Sequence, residues 1–361
     1  MENNQLPKKH LLSAQLDLSK FSAPQFEAAT DEEKRQQDVM SKSTTFFKDG
    51  MRKLFKNPLA VLSLVILLLI LLTVIIAPMI IPYSYEEILS VNGKRDKGAK
   101  NLAPFTYSEM EQEYIDAGGT RFPHIFGTDE QCRDYFIRVI YGARVSLAVG
   151  FFASLIVLII GLLYGSIAGY VGGRTDLVMM RIVDIIYSLP DTLMVILLSV
   201  VLDQLLGQSL QNTVLASIGP NMLSMFAVFG LLYWVGMARL VRGQILSIKN
   251  NEFILAAKAL GSGSTRIIWK HILPNCMSVI FISTALQVPS AIFTESYLSF
   301  IGLGVQAPMP SLGSLANAAR AGISSYPYKL VFPAVMICLI VLSCNLLGDG
   351  LRDAFDPKLR R

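Results

Sequence analysis

Three side chains that can bind a metal ion lie close together in one polar stretch of the chain. They are His124, Asp129 and Cys132, and imidazole, carboxylate and thiolate groups are all ligands that zinc accepts. Their spacing matches no established metal-binding pattern, and the sequence contains no Cys-x-x-Cys pair. We therefore predict that this chain holds no metal.

Two aspartates suggest another chemistry, peptide hydrolysis by paired carboxylates inside the membrane. Asp184 lies within an apolar run, and Asp349 stands between two glycines. Such an enzyme would need the two carboxylates to share one site. Asp349 instead ends its apolar run beside Arg352, and Asp184 lies three residues after Arg181, at a spacing that favours a helical ion pair. An intramembrane aspartyl protease is therefore a distant alternative.

The sequence has no phosphate-binding loop of the type Gly-x-x-x-x-Gly-Lys-Ser/Thr. In that motif, backbone amides hold the phosphates of a nucleotide and the lysine reaches the terminal ones. We therefore predict that the chain binds no nucleotide or other cofactor and has no catalytic residue. Any ATP-driven process would need a separate ATPase.

A compact polar block, residues 250–275, separates two long apolar runs. Residues 252–260 are rich in Ala and Leu, which favour a helix, and Gly261 is a typical helix stop. A second short helix is predicted to begin at Ser264 or Thr265, either of which can cap it, and to end at Pro274. The block would lie along the membrane surface and present apolar side chains among basic ones. An ordinary amphipathic loop helix is the alternative.

The composition indicates a membrane protein. The 361 residues are 52% hydrophobic and 16% charged, whereas soluble domains carry about 25% charged residues. The net charge of +5 is modest, and the basic residues lie between apolar runs instead of forming the basic stripe of a nucleic-acid-binding protein. Three of the four cysteines lie in or beside apolar runs, which predicts buried apolar side chains and not a disulfide framework.

Six apolar runs are candidates for membrane spans, which need about 20 residues. They cover residues 59–81, 145–170, 177–202, 222–237, 276–303 and 331–351. Pro190 interrupts the third run and should kink it. The predicted fold is an all-α integral membrane protein with six transmembrane helices.

The polar segments complete the predicted organisation. Residues 1–58 form a tail with a solvated helix near 28–43, 82–144 and 304–330 form outer loops, and 352–361 form a second tail. Residues 145–351 hold a core of five helices. With both termini in the cytoplasm, the inner segments carry 22 Lys and Arg against 10 in the outer segments. The positive-inside rule requires this bias, and it places the block at 250–275 on the cytoplasmic side.

Two features inside the spans have competing interpretations. Gly161, Gly165, Gly169 and Gly173 are spaced four apart and leave a smooth stripe on the second span. The stripe could pack against a helix of this chain or of a partner, and the sequence leaves both open. Glu295 lies near the outer end of the fifth span, where we predict a hydrogen-bonded carboxyl instead of a proton relay.

Three segments resemble the membrane subunits of ABC importers. In the block, Ala256, Ala257, Gly261, Leu273 and Pro274 match the coupling motif of that family, while Leu255 and His271 depart from it. Residues 126–147 are similar to the C-type subunits of oligopeptide and dipeptide importers, although Cys132 replaces a glycine and the turn there is expected to differ. The matching residues are Phe126, Gly127, Thr128, Asp129, Arg133, Asp134, Arg138, Tyr141, Gly142, Ala143, Arg144, Ser146 and Leu147. Residues 294–305 and 345–353 resemble the same subunits.

The resemblance implies the permease fold of a type I ABC importer and a pore-forming role in oligopeptide uptake. It implies that the first helix of the block docks on an ATPase, with the contacts made by Phe253, Ile254, Ala256, Ala257, Leu260 and Gly261. The implied partners are a second, homologous permease subunit, two ATPase subunits that use ATP and Mg, an extracytoplasmic peptide-binding protein and membrane lipid. Dipeptides and nickel or other metal chelates remain alternative cargoes, a receptor or scaffold is an alternative function, and the substrate-binding residues are not identified.

Overall fold

The computed structural model describes residues 46–209, 220–305 and 309–355. The predicted helix near 28–43 lies outside these ranges, as does most of the C-terminal tail. The described chain is helical except for one short hairpin and its loops. The helices are α1 (Phe46–Leu54), α2 (Pro58–Ile80), α3 (Glu109–Asp116), α4 (Tyr135–Val171), α5 (Gly173–Ser188), α6 (Asp191–Ser209), α7 (Pro220–Val228), α8 (Trp234–Ile248), α9 (Glu252–Ala259), α10 (Ser264–Ile267), α11 (Leu273–Phe300), α12 (Leu312–Ala319) and α13 (Tyr328–Phe355).

Short irregular elements join some of these helices. The π-helical stretches Phe229–Tyr233 and Ile268–Ile272 connect α7 to α8 and α10 to α11, and a 3-10 turn, Arg320–Gly322, follows α12. The antiparallel strands β1 (Ser90–Val91) and β2 (Lys94–Arg95) form a hairpin in the first loop. Its turn residues, Asn92 and Gly93, both have positive φ, as a tight Asn-Gly hairpin turn requires.

Five continuous helical segments are long and apolar enough to cross a membrane. They are Pro58–Ile80, Tyr135–Val171, Met222–Ile248, Ser264–Phe300 and Tyr328–Phe355, and each contains most of one predicted span. The α-helical membrane architecture is therefore confirmed. Three boundaries differ from the prediction by ten residues or more: α4 begins ten residues before 145, the fourth segment continues from 237 to Ile248, and the fifth begins at Ser264, inside the block.

The predicted third span is broken at Pro190. Helix α5 ends at Ser188, α6 begins at Asp191, and the two helix axes differ by 93°. Proline removes a backbone donor and disfavours helical conformation in the preceding residue, and Leu189 is accordingly extended, with ψ of 141°. The break is stronger than the predicted kink, and α5 and α6 make a sixth span only if the bent pair is counted as one.

Helix α4 is the centre of the bundle. It packs against α2, α8, α11, α12 and α13, and α11 and α13 also pack together. At one end of the bundle, an apolar cluster joins α4, α8 and α11 to the block at 250–275. At the other end, the loop between α2 and α4 covers the start of α4 with a cluster that includes Tyr83, Leu89 and Ile137. We refer to these as the block end and the loop end.

Candidate functional site

The block at 250–275 contains the short helix that the sequence predicts. Helix α9 spans Glu252–Ala259, and Gly261 follows it with φ of +80°. The Ser262 amide donates to the Ala257 carbonyl at 3.1 Å and the Gly261 amide donates to Lys258 at 2.9 Å, which together form a Schellman C-cap. The left-handed conformation favours glycine, so the stop at Gly261 has a clear backbone reason.

The second half of the block differs from the prediction. Helix α10 begins after Gly263, and neither Ser264 nor Thr265 caps it with its side chain. The helix does not end at Pro274, because residues Ser264–Phe300 form one continuous helical segment in which Pro274 follows the π-helical stretch Ile268–Ile272. The block therefore consists of one separate helix, α9, followed by a direct extension of the next span.

The block has a buried face and an exposed face. Ile254, Ala257 and Leu273 are buried, and they pack with Val241 and Ile245 of α8. Of the implied ATPase contacts, Ile254 and Ala257 therefore hold α9 against the bundle with their side chains, and their contact with an ATPase stays a prediction. Each buried Ile or Leu stabilises this attachment by about 1.5–3 kcal/mol.

The exposed face combines large apolar side chains with cations. Phe253, Ala256, Leu260 and Gly261 of the implied set are exposed, as is Pro274. Leu255 and Trp269 are also exposed, and the sequence prediction omitted both. Trp269 could have been identified, because a tryptophan within a short polar segment is a typical interface residue. Arg266 and Lys270 are exposed beside them.

Three of the four predicted stripe glycines lie against α8. A Cβ on Gly161 would be 2.6 Å from Met237 Cβ, one on Gly165 would be 2.5 Å from the Ala238 carbonyl oxygen, and one on Gly169 would be 3.0 Å from Ile245 Cβ. The stripe therefore packs against a helix of this chain. Gly173 does not belong to it, because it has φ of +57° and no atom within 4 Å of a Cβ position.

Ion pairs fix α5 to α8 next to the stripe. Arg242 binds Asp176 through two nitrogens, at 2.5 and 2.6 Å, a bidentate geometry that strengthens the pair. Arg239 donates to Asp184 at 2.8 Å. The predicted pair of Asp184 with Arg181 is therefore wrong, because tertiary contact with α8 supplies the partner.

The same contact bears on the aspartyl protease alternative. The Asp184 carboxylate faces Arg239, and Asp349 is exposed near the end of α13. These two aspartates therefore do not form the facing pair of carboxylates that such an enzyme needs. In addition, Asp191 begins α6, and its side chain lies outside the description of the structure.

The matched outer-loop residues build the turn before α4. Gly127 has φ of +74°, and a Cβ there would collide with the Leu102 carbonyl. The Thr128 hydroxyl accepts from the Leu102 amide at 2.8 Å and donates to the Ala99 carbonyl at 2.5 Å. Asp129 accepts from the backbone amide and the Nε of Arg133, at 2.9 and 2.7 Å. These residues therefore close the loop against itself.

Cys132, which stands where the family has glycine, has a left-handed backbone conformation. Its φ is +60°, and its side chain is buried in the loop cluster. A non-glycine residue in this region costs roughly 1–2 kcal/mol, and burial of the side chain offsets part of that cost. The expected change of turn relative to the family stays a prediction.

His124 lies at the centre of a buried network in the same loop. Its Nδ1 is 2.7 Å from Asp134, which also caps α4 by accepting from the Ile137 amide, and its Nε2 is 3.1 Å from Glu111. Burial alone would lower the pKa of His124, but the hydrogen bonds and charges of the two carboxylates raise it to about 9. Both ring nitrogens therefore carry protons at neutral pH.

The same network explains why the imagined metal ligands do not converge. A protonated imidazole donates from both nitrogens and cannot bind a metal. Asp129 faces Arg133, and Cys132 packs among apolar side chains. No cluster of metal-binding side chains occurs within the described residues. Glu111, which the sequence did not single out, is the partner that completes the network.

Glu295 is fully buried between α4, α11 and α12. Its carboxyl accepts from the hydroxyls of Ser146 at 2.6 Å and Ser299 at 2.8 Å. The Ser146 hydroxyl also accepts from the backbone amide of Leu312, at 3.4 Å. The predicted hydrogen-bonded role of Glu295 agrees with this geometry, and the bonds connect three helices at the loop end.

Two family descriptions match the chain. "Binding-protein-dependent transport system inner membrane component" matches residues 161–361, and "N-terminal TM domain of oligopeptide transport permease C" matches residues 45–112. The Bacillus subtilis dipeptide transport system permease protein DppC is 42% identical over 332 residues, which cover 91% of this chain and 92% of the relative. The oligopeptide transport system permease protein OppC of the same species is 39% identical over 336 residues, covering 93% and 97%.

A third relative and one solved structure extend the comparison. The oligopeptide transport system permease protein OppC of Escherichia coli is 39% identical over 316 residues, which cover 88% of this chain and 92% of the relative. One chain of the inward-facing MetNI methionine ABC transporter superposes with a TM-score of 0.44, covering 60% of this chain and 97% of its own length at 18% identity.

Proposed function

The chain belongs to the permease subunits of binding-protein-dependent peptide importers, and we propose that its block at 250–275 docks on the ATPase that drives import. As a member of this family it is a multi-pass protein of the cell membrane and contributes to the transport pore. The proposal concerns how ATP hydrolysis, which takes place in a different subunit, moves this chain.

The two-faced packing of the block carries the proposal. Its exposed face offers Phe253, Leu255, Leu260 and Trp269, and large exposed side chains beside cations are typical of protein interfaces. Its buried face is continuous with the packed core of α4, α8 and α11. A force applied to the exposed face would therefore reach three helices of the bundle through well-packed side chains.

This packing supports a mechanism with two discrete states. ATP binding would draw the two ATPase subunits together, and each docked block would move with its ATPase. Because packed interfaces resist continuous deformation, a displacement of the block is expected to shift whole helices between outward-open and inward-open arrangements. ATP and Mg would act only in the ATPase subunits, and this chain would supply no catalytic group.

The complete importer would contain further subunits. We expect a second permease subunit of similar fold, two ATPase subunits and an extracytoplasmic peptide-binding protein. The loops at 82–144 and 304–330 are our candidates for receiving the binding protein, because they lie at the end of the bundle opposite the block. Relatives are named for oligopeptide and for dipeptide transport. We favour oligopeptides as the cargo, with dipeptides or nickel and other metal chelates as alternatives.

Removal of one exposed side chain tests the docking. Leu260 is 86% exposed on the block, and Met79 is 82% exposed at the far end of α2, so Met79→Ala is a matched control for Leu260→Ala. Burying one leucine in an interface contributes about 1.5–3 kcal/mol, which corresponds to roughly ten- to hundredfold in affinity.

The measurement is the amount of ATPase that co-purifies with the detergent-solubilised complex, together with peptide uptake in cells. We expect Leu260→Ala to lower both and Met79→Ala to lower neither, with equal amounts of each variant in the membrane. Wild-type ATPase recovery and uptake in Leu260→Ala would disprove docking through this face.

A further inference from the structure

We propose that a cavity at the loop end binds a carboxylate of the peptide cargo, with Arg138 as the binding group. The inference rests on the proposed function, since it requires cargo to enter from the side of the molecule opposite the block. The cavity has a volume of about 430 Å³, which is within the range of small-molecule sites.

The cavity is formed where three elements of the bundle meet. Arg133 and Arg138 come from the turn before α4 and from its first turn, Ser299 comes from the last turn of α11, and Ser314 and Asn317 come from α12. Val305 and Leu315 supply apolar surface. The described part of its lining therefore contains two cations, neutral hydrogen-bonding groups and no carboxylate.

Arg138 has an incomplete set of partners. Only 6% of the residue is exposed, and one terminal nitrogen donates to the Tyr85 carbonyl at 2.9 Å. Its Nε is buried and donates no hydrogen bond to any described residue. Oδ2 of Asp129 lies 3.5 Å from this Nε, which is too long for a good hydrogen bond.

The charges around the cavity do not balance. The same Asp129 oxygen accepts from Arg133 Nε at 2.7 Å, so two guanidinium groups share one carboxylate. Burying a cation without a full partner costs free energy, and a second carboxylate would recover it. Guanidinium groups bind carboxylates with a planar pair of donors, so a carboxylate is the ligand that this arrangement favours.

The burial of Arg138 favours a small ligand over a protein side chain. A side chain of the binding protein would have to reach a residue that is almost completely enclosed, whereas the end of a peptide chain is narrow and always carries a carboxylate when it is free. The side-chain amide of Asn317, which also lines the cavity, could then bind an adjoining peptide group. The site would thus select peptides by their carboxyl end as they leave the binding protein.

The test compares uptake of free peptides and C-terminal amides. The complete importer, with its ATPases and binding protein, is reconstituted in vesicles, and the binding protein is saturated with either form of the same peptide. We expect Arg138→Gln to reduce the uptake of the free peptide by about tenfold or more, the loss typical of one charged hydrogen-bonding group, and to leave amide uptake unchanged. A third peptide, amidated but containing one Glu, distinguishes a terminal carboxylate from one on a side chain.

Each outcome decides the question. Unchanged amide uptake with a selective loss of free-peptide uptake supports the site. Amide uptake by Arg138→Gln also shows that the importer still works, so the test of the site is independent of the proposed docking on the ATPase. Equal losses for both peptides, or no loss, would overturn the site. The site would also be overturned if Arg138→Gln raised, equally for both peptides, the concentration of binding protein that gives half-maximal uptake. That result would assign Arg138 to docking of the binding protein.

A second variant covers the case in which Arg138→Gln does not reach the membrane. Arg133→Gln removes the competing guanidinium and leaves Asp129 to pair with Arg138. The ratio of free-peptide to amide uptake should then fall several-fold, because the cavity loses its excess positive charge. An unchanged ratio in this variant would contradict the proposal.

Discussion

The contact between α4 and α8 gives the sharpest quantitative prediction, for the substitution Gly165→Ala. A Cβ at this position would lie 2.5 Å from the Ala238 carbonyl oxygen and 2.9 Å from Val241 Cβ. Ordinary van der Waals contact begins at 3.4 Å, so the new methyl group is too close to α8 by up to about 0.9 Å. Neither neighbour can move aside, because one is a backbone oxygen and the other is the Cβ of a buried β-branched side chain. The two helices must therefore separate to make room for the methyl group.

The size of the effect follows from the cost of overpacking. Forcing one methyl group into a filled helix contact destabilises a protein by about 1–3 kcal/mol. Gly243→Ala is the matched control on α8, because no atom lies within 4 Å of its Cβ position. At such an open position, alanine is more favourable in a helix than glycine by up to about 1 kcal/mol. The two variants should therefore change stability in opposite directions.

Thermal unfolding of the purified chain in detergent, followed by tryptophan fluorescence, measures this difference. We expect a lower midpoint for Gly165→Ala than for the wild type, and an equal or higher midpoint for Gly243→Ala. Peptide uptake should fall in Gly165→Ala alone, because the separated helices carry the block. If both variants unfold at the same temperature, the close contact at Gly165 does not exist in the folded protein.

Two further predictions concern the loop and the orientation of the block. The protonated His124 stabilises the fold fully below pH 6.5, its ordinary pKa, and this stabilisation is lost as the pH rises through about 9. The midpoint of thermal unfolding should therefore fall between these two pH values. His124→Gln should lack this dependence on pH. Ser264 is exposed on the block, so Ser264→Cys, in a background with Cys338→Ser, should react with a membrane-impermeant maleimide in inside-out vesicles and not in right-side-out ones. Reaction only from the outside would exclude docking on a cytoplasmic ATPase.

The sequence predicts the spans well because hydropathy is a local property. Runs of apolar residues identify five of the six spans, since any helix in lipid must satisfy its own backbone and show an apolar surface. Helix α9 and its stop are equally local, because Gly261 alone determines where the helix can end. The second span was predicted to begin at 145 because residues 135–144 contain Arg138 and Arg144, whereas α4 begins at Tyr135 and its first turn is covered by the loop.

The site depends on contacts that no local pattern contains. Asp184 takes a partner 55 residues away on α8 instead of the nearer Arg181, because an apolar cluster of Val183 with Trp234 and its neighbours holds α5 against α8. Ala257 belongs to the coupling motif and Ile254 to the implied docking contacts, yet both are buried, since the helix must attach to the bundle as well as present an exposed face. Spacing along the chain reveals the helix but not which side of it the bundle covers.

Helix α4 connects the two ends of the molecule. It is 37 residues long, or about 55 Å at 1.5 Å per residue, and its contact with α8 leaves no free volume at Gly161 or Gly165. Helices packed in this way cannot slide without losing the contact, so α4 and α8 are expected to move together when the block is displaced. The movement must then be absorbed where the chain has room: Gly172 and Gly173 both have positive φ, and Gly173 has no neighbour within 4 Å of a Cβ position. Because ion pairs also hold α5 to α8, α5 is expected to move with the packed pair, and the break at Pro190 would let α6 stay in place while α4 and α8 carry the motion from the block to Arg138.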